Sequence, residues 1–385
     1  VGGKEELIRI SGSNAPRRFS AFGIMKTGRD LPQQYDDTLI IQQISSTIPA
    51  VLVGKVDIPL DYGNACGTSL MNYVKKEWSA ELVRASSAGL PGGEAGLRAR
   101  LPELASGKTL VGKVAAYFVR KYGLAPGCVV GIGSGDNPQS KVLIAGSMLS
   151  LGSGFVNMVE TDGRTLDMRG YTNAMYDALD RPFMFGCRTN GALLWDRTRA
   201  EHGFSKHDYG PAEAVLKKTP PGNGGKIFLW HPNNESFPVS AAFGPVRIGY
   251  DAPDFAADYA GVIESALGSI YVNSKYFMAS GDTIYVAGGS TSSAGIMRRV
   301  AGIWNRTVVP IEEGGAALGA AVSGAFALLL AEGREPDAAR FGPSFVTMKE
   351  AIEPRADDVA VYHGEGGFLS RFEKAEAQLI AENPA

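Results

Sequence analysis

The chain has 385 residues, 44% of them hydrophobic and 20% charged, with a formal net charge of −2 at pH 7. That length exceeds one ordinary hydrophobic core and points to two domains. The near-neutral balance supplies no field that would gather nucleic acid or anionic lipid, so neither is expected as a partner. Three cysteines (Cys66, Cys128 and Cys187) lack any CxxC spacing, which argues for reduced thiols in a cytoplasmic protein over a disulfide framework or zinc site. The four histidines show no ligand spacing, and no apolar run reaches the length of a membrane span. An anionic substrate must therefore be held by local devices such as glycine loops, helix N-termini or a metal ion.

In chain order, residues 36–53 carry apolar positions at three- and four-residue spacing and predict a buried helix, with Asp36 or Asp37 as N-cap and Gly54 as stop. Residues 89–107, rich in Gly, Pro and Ala, predict loops and short helices. A helix is expected over 113–123, ending at Gly123, then a strand over 128–132 running into a glycine loop. The next helix and connection should fill 138–150, and 150–160 reads as a β-turn-β unit. A more polar stretch follows from 161 to 225. Beyond it come a strand at 226–230, a long helix within 253–280, a strand at 283–287 and a helix at 292–304. A short strand at 306–309, a small-residue helix at 313–332 and an amphipathic surface helix at 366–381 complete the chain. No internal repeat is visible.

Four glycine clusters carry the chemical signal. In Gly131-Ile-Gly133-Ser-Gly135-Asp136-Asn137-Pro138 the glycines permit close backbone approach after a strand. A dinucleotide fingerprint would need a third glycine at 136, where an aspartate adds like charge to a pyrophosphate. Asp136, ionised near neutrality, can accept a proton from a hydroxyl; it can equally cap the following helix. Spacing alone leaves these two roles open. The second cluster, Ser150-Leu-Gly152-Ser153-Gly154, has the form of a tight hairpin. The third, Gly288-Gly289-Ser290-Thr291-Ser292-Ser293, joins a strand to a polar helix start that could receive an anion. The fourth, Gly314-Gly315-Ala-Ala-Leu-Gly319-Ala-Ala, reads as a helix that lets a neighbouring backbone approach closely.

In this order the clusters resemble the FGGY carbohydrate kinases, whose later segments are a Gly-Gly-Asp-Asn loop, a Ser-Leu-Gly-Thr-Ser turn, a Gly-Gly-Ala loop and a Gly-Ala-Ala-Leu-Gly-Ala-Ala helix. Within that family the xylulokinases are most similar. Ile10-Ser-Gly-Ser-Asn-Ala-Pro-Arg-Arg18-Phe19, Asp61-Tyr62, Asn64-Ala-Cys-Gly-Thr68 and Asp136-Asn137-Pro138 resemble their segments. The resemblance implies a two-lobed α/β fold of the RNase H-like or actin-like ATPase kind. It places a sugar-binding N-terminal lobe at 1–140, a nucleotide-binding lobe at 141–335 and an extension with a surface helix at 336–385. It implies phosphorylation of a ketopentose, D-xylulose, by ATP with Mg²⁺, in xylose metabolism. Asp136 would be the base, with Arg18 and Asn137 also on the sugar. Gly152 and Ser153 would lie near the phosphates, and Gly288, Gly289, Ser290, Ser293 and His207 on the nucleotide. Metal ligands are not assigned, and a homodimer is left open.

The sequence departs from the family pattern in three places. The Asp-x-Gly-Thr strand turn with which the family begins has no counterpart upstream of Ile10, so an incomplete first lobe is expected and with it a fragment or a shortened relative. The Ser-Leu-Gly-Thr-Ser turn reads Ser-Leu-Gly-Ser-Gly, and Ser290 stands where alanine is usual. These departures raise a second expectation, a kinase-derived sugar- or nucleotide-binding protein without turnover. A kinase for ribulose, glycerol or gluconate is a third.

Overall fold

The computed structural model describes residues 1–205, 208–278, 283–312 and 315–384. It divides into two compact units. One comprises 1–145, 160–184 and 314–346, and the other 146–159, 185–313 and 347–385. The chain thus crosses from one unit to the other several times, and each unit is assembled from separated stretches.

In the first unit, helices Lys4–Ser11 and Ser20–Asp30 bury Ile10 and Ala21 against Leu70 and Leu82, with Leu7, Ile24, Trp78 and Leu101 packed around them. The expected helix over 36–53 is shorter. It runs Ile44–Val53 and ends, as expected, at Gly54 in the left-handed conformation. Its start is set by Gln43, whose carbonyl accepts the hydroxyls of Ser46 (3.1 Å) and Thr47 (3.0 Å), while the Ile41 N–H is drawn to Arg100 O at 2.8 Å. Tertiary pairing here overrides periodicity. The helix is also not buried throughout: Ile44, Ile48 and Val51 are exposed. The helix expected at 113–123 begins at Ala116, because Leu110–Lys113 is a strand antiparallel to Val129–Gly131. Gly123 ends it with φ 69°. Strand Val129–Gly131 leads into the loop before helix Asp136–Val142, which lies against helix Gly315–Ala331.

That helix pair is unusually close. A Cβ at Gly319 would lie 1.9 Å from the Gln139 carbonyl oxygen, and Gly342 stands in the same relation to Val142 O. Gln139 is buried, and its amide has partners at both ends in one orientation. It donates to Gly319 O (3.1 Å) and Ser323 Oγ (2.8 Å) and accepts from Ser134 N (3.1 Å).

The second unit is built on a sheet in which Ile284–Ala287 lies between Val308–Pro310 and Ser147–Leu151, parallel to both. Ser147–Leu151 turns back antiparallel on Phe155–Glu160, as the β-turn-β reading expected. The long helix Phe255–Ser274, capped by the Asp254 carboxylate on Ala257 N, is buried nearly all round, consistent with its weak polar face. Within it, Glu264 accepts from Arg299 Nε at 2.9 Å, from the Tyr362 hydroxyl and from Gly222 N. Burial pushes that carboxyl up to about 7, opposed by Arg299. The final helix Phe368–Glu382 buries Phe368, Leu369 and Phe372 against the long helix. Among the described residues no helix is long and apolar enough to cross a membrane.

Candidate active site

Asp136 is the first residue of its helix, after an N-cap at Gly135 that makes no side-chain bond. The Asp136 carboxylate is exposed. Its Oδ1 accepts the Asn137 backbone N–H at 2.8 Å and the Asn137 side-chain amide at 3.0 Å. Asp136 is therefore not the capping residue, although its carboxylate sits over the helix N-terminus, where negative charge is favoured. The loop before it requires glycine at 133: φ is 78°, and a Cβ would come within 2.4 Å of Ser45 O. Asn137, beside it, is half-buried.

Beneath this loop lies a carboxylate that sequence reasoning had noted only as part of a family segment. Asp61 is 1% exposed. Its Oδ2 accepts the Ser134 hydroxyl and the Asn64 backbone N–H (3.2 Å), and its Oδ1 accepts the Asn64 amide, which also reaches Ser45 Oγ at 2.7 Å. Burial pushes Asp61 up to about 6, against the pull of these donors. Arg18 belongs to the same unit. It is exposed in the turn before helix Ser20–Asp30, with its guanidinium 5.9 Å from the Phe19 ring centroid. That turn is tied to the 67–68 segment through Ser20 N to Gly67 O and Ala21 N to Thr68 O.

In the second unit, the strand register brings two glycine clusters together. Val286 is paired with Leu149 and Ala287 with Ser150 in parallel strands, so both strands end at one edge of the sheet. In open α/β sheets ligands bind at that edge. Gly288 there has φ 104°, and a Cβ on it would meet Leu151 O at 2.6 Å. The Ser290 hydroxyl donates to the same carbonyl at 3.1 Å. The turn after Leu151 is packed as closely on its other side, since a Cβ at Gly191 would lie 2.7 Å from Gly154 Cα.

Above this edge opens a cavity of about 620 Å³, lined by Gly152, Ser153, Gly289, Ser290 and Ser293 among others. Five residues assigned to the nucleotide from the sequence thus share one cavity. Ser293 is the least available of them: it is buried, and its hydroxyl caps helix Ala294–Trp304 by accepting Ile296 N at 3.1 Å. His207 lies outside the described residues. The opposite wall went unnoticed in the sequence. Helix Ala192–Glu201 contributes Trp195, Asp196 and Arg199, with Tyr209, Glu213 and Tyr259 beside them. Arg199 pairs with Asp196 at 2.7 Å, donates to the Tyr259 hydroxyl at 3.1 Å and stacks 4.5 Å from the Tyr209 ring. Apart from Tyr259, on the long helix expected within 253–280, these residues fall in the stretch 161–225 that the sequence marked only as polar.

A cavity of this size, with glycine turns on one wall and aromatic and charged groups on the other, fits a nucleotide. Among the described residues no three His, Cys, Asp or Glu side chains converge as a metal cage. Mg²⁺ commonly binds through substrate phosphates and few protein groups, so a protein cage is not required for it.

No family model matches the chain. A relative named probable D-xylulose kinase A, from Aspergillus fumigatus, is 24% identical over 100% of this chain and 74% of its own length. The chain is similar to xylulose kinases of the FGGY carbohydrate kinase family. A solved gluconate kinase from Lactobacillus acidophilus superposes on this chain with a TM-score of 0.85 at 18% identity, over 98% of the chain and 75% of its own. A solved xyloylose kinase from Brucella ovis gives a TM-score of 0.81 at 21% identity, over 98% of this chain and 76% of its own. The fold is the two-domain α/β fold of the actin-like ATPases, shared with these solved sugar kinases.

Proposed function

We propose that this chain is an FGGY-type sugar kinase that transfers the terminal phosphoryl group of ATP to a hydroxyl of a ketopentose, converting D-xylulose to D-xylulose 5-phosphate in the cytoplasm. The observation that carries the reading is the meeting of the Gly152–Ser153 turn and the Gly288–Ser293 turn at one sheet edge beneath a single cavity. The choice of D-xylulose is supported by the whole-chain similarity to a D-xylulose kinase. The fold does not separate sugars, since a gluconate kinase superposes at least as well.

In this reading Asp136 takes the proton from the attacking hydroxyl, while Arg18 and Asn137 hold the sugar by hydrogen bonds. Asp136 is exposed and, among the described residues, Asn137 is the side chain that holds it, through Oδ1, which leaves Oδ2 for a substrate hydroxyl. The backbone at Gly152, Ser153, Gly289 and Ser290 holds the nucleotide, with Ser293 shaping the helix start beneath it. When bound with ATP, Mg²⁺ offsets phosphate charge. The catalytic contribution of the chain is positioning and electrostatics.

A coupled ADP-release assay over D-xylulose, D-ribulose, glycerol and gluconate tests the reading. Turnover should be fastest with D-xylulose and should fall at least 10³-fold in Asp136→Ala, with nucleotide affinity retained. Sugar and nucleotide binding without ADP release would refute the kinase reading in favour of a binding protein.

A further inference from the structure

Among the described residues, Asp61 is a buried carboxylate whose hydrogen bonds run to the loop that carries Asp136. Three features make that connection specific. The Ser134 hydroxyl, two residues before Asp136, donates to Asp61 Oδ2 at 2.5 Å. Gly63 leaves the space for this bond, since a Cβ there would lie 2.8 Å from Asp61 Oδ2 and 3.0 Å from Ser134 Oγ. Asp61 is itself fixed by both nitrogens of Asn64, and Asn64 by Ser45, whose carbonyl is the atom that excludes a side chain at Gly133. On the other side, with the Gln139 amide turned so that both its ends are satisfied, its oxygen accepts the Ser134 N–H at 3.1 Å. Ser134 is thus clamped through its side chain and its backbone, and the clamp ends one residue short of Gly135, which has no side chain of its own to hold it.

We propose that Asp61 is a positioning residue for phosphoryl transfer, fixing through Ser134 the loop that presents Asp136 to the sugar hydroxyl. The inference rests on Asp136 being the base. Asp61 touches no substrate in this scheme; it restricts where the Asp136 carboxylate can stand. A buried carboxylate suits that task because a charge-assisted hydrogen bond is shorter and stronger than a neutral one. A misplacement of about 1 Å at a reacting group lowers rate by about 10²-fold.

The test uses the intact chain and five variants: Ser134→Ala, Asp61→Ala, the double variant, Asp61→Asn and Asp136→Ala. Ser134→Ala and Asp61→Ala should each lower kcat by about 10- to 100-fold with the KM for ATP unchanged. The double variant should be no slower than the worse single one, because both remove the same link. Asp61→Asn, which keeps an acceptor oxygen for Ser134, should recover most of kcat. Amide hydrogen exchange at residues 134–137 should quicken about tenfold in Ser134→Ala, a readout that does not need turnover. Should Asp61→Ala fail to fold, Ser134→Ala decides: kcat within twofold of wild type, or unchanged exchange at 134–137, overturns the proposal. Multiplying losses in the double variant overturn it as well. Normal turnover in Asp136→Ala would instead remove the base assignment on which the proposal stands.

Discussion

The approach of helix Gly315–Ala331 to helix Asp136–Val142 can be tested with one methyl group. In Gly319→Ala the new Cβ would stand 1.9 Å from Gln139 O and 2.5 Å from Gln139 C. Both are backbone atoms, so no rotamer change relieves the overlap. Reaching ordinary contact requires the helices to part by more than about 1 Å. Overpacking of this kind costs about 1–3 kcal/mol. Parting also strains the Gln139 bonds to Gly319 O and Ser323 Oγ, each worth about 1 kcal/mol. A loss of about 2–4 kcal/mol in urea unfolding is therefore expected. Gln139 lies three residues after Asp136 on the same helix, so kcat should fall by about 10²-fold as the carboxylate shifts. Gly324→Ala is the control. It lies on the same helix with nothing within 4 Å of its Cβ, and should be neutral or stabilising by up to about 1 kcal/mol. If Gly319→Ala matched the control in stability and retained turnover within threefold, the claim that these two backbones require glycine would be wrong.

Two further substitutions test other parts of the structure. Gly288→Ala would place a Cβ 2.6 Å from Leu151 O at φ 104°, so ADP affinity by titration calorimetry should weaken at least tenfold, about 1.4 kcal/mol; an affinity within twofold of wild type contradicts the reading of that turn. For Asp61, burial raises the carboxyl from 3.8 to about 6. A raised acid holds its proton more firmly when folded, so its contribution to stability is full below about pH 4 and is lost as pH rises through about 6, a change of about 3 kcal/mol. Urea stability of Asp61→Asn should therefore decline less than that of wild type between pH 4 and 7, and identical slopes would show that Asp61 is not the group responsible.

The parts of this molecule that were legible in the sequence are those written locally. Gly54 and Gly123 end their helices because each carries the left-handed conformation that the sequence led one to expect there. The long helix expected within 253–280 is found as Phe255–Ser274. The small-residue helix announced a close approach, and Gly319 on Gln139 provides it. What was not legible depends on pairing across the chain. The register of Val286 with Leu149 is what unites two glycine turns, and no spacing within either turn encodes it. Asp196 and Arg199 are i,i+3 neighbours on a helix, a pattern as common on solvated faces as in a ligand cavity. Asp61 was visible only as part of a family segment, because burial, which sets its chemistry, depends on Ser134 and Asn64 folding over it. Ser293 shows the same limit: it lines the cavity expected from the sequence, and its hydroxyl also caps its own helix, which the polar run did not reveal.

The parallel pairing of Ile284–Ala287 with Ser147–Ser150 also bears on how a bound nucleotide would leave. The turns that follow these strands are anchored to adjacent rungs of one ladder, so parting them means breaking sheet. The opposite wall is carried differently, since Tyr209 and Glu213 stand at and beside the start of the nine-residue helix Gly210–Lys218, outside that ladder. On this account, substitutions in that wall would change residence time, and substitutions in the ladder would change whether the nucleotide is held at all.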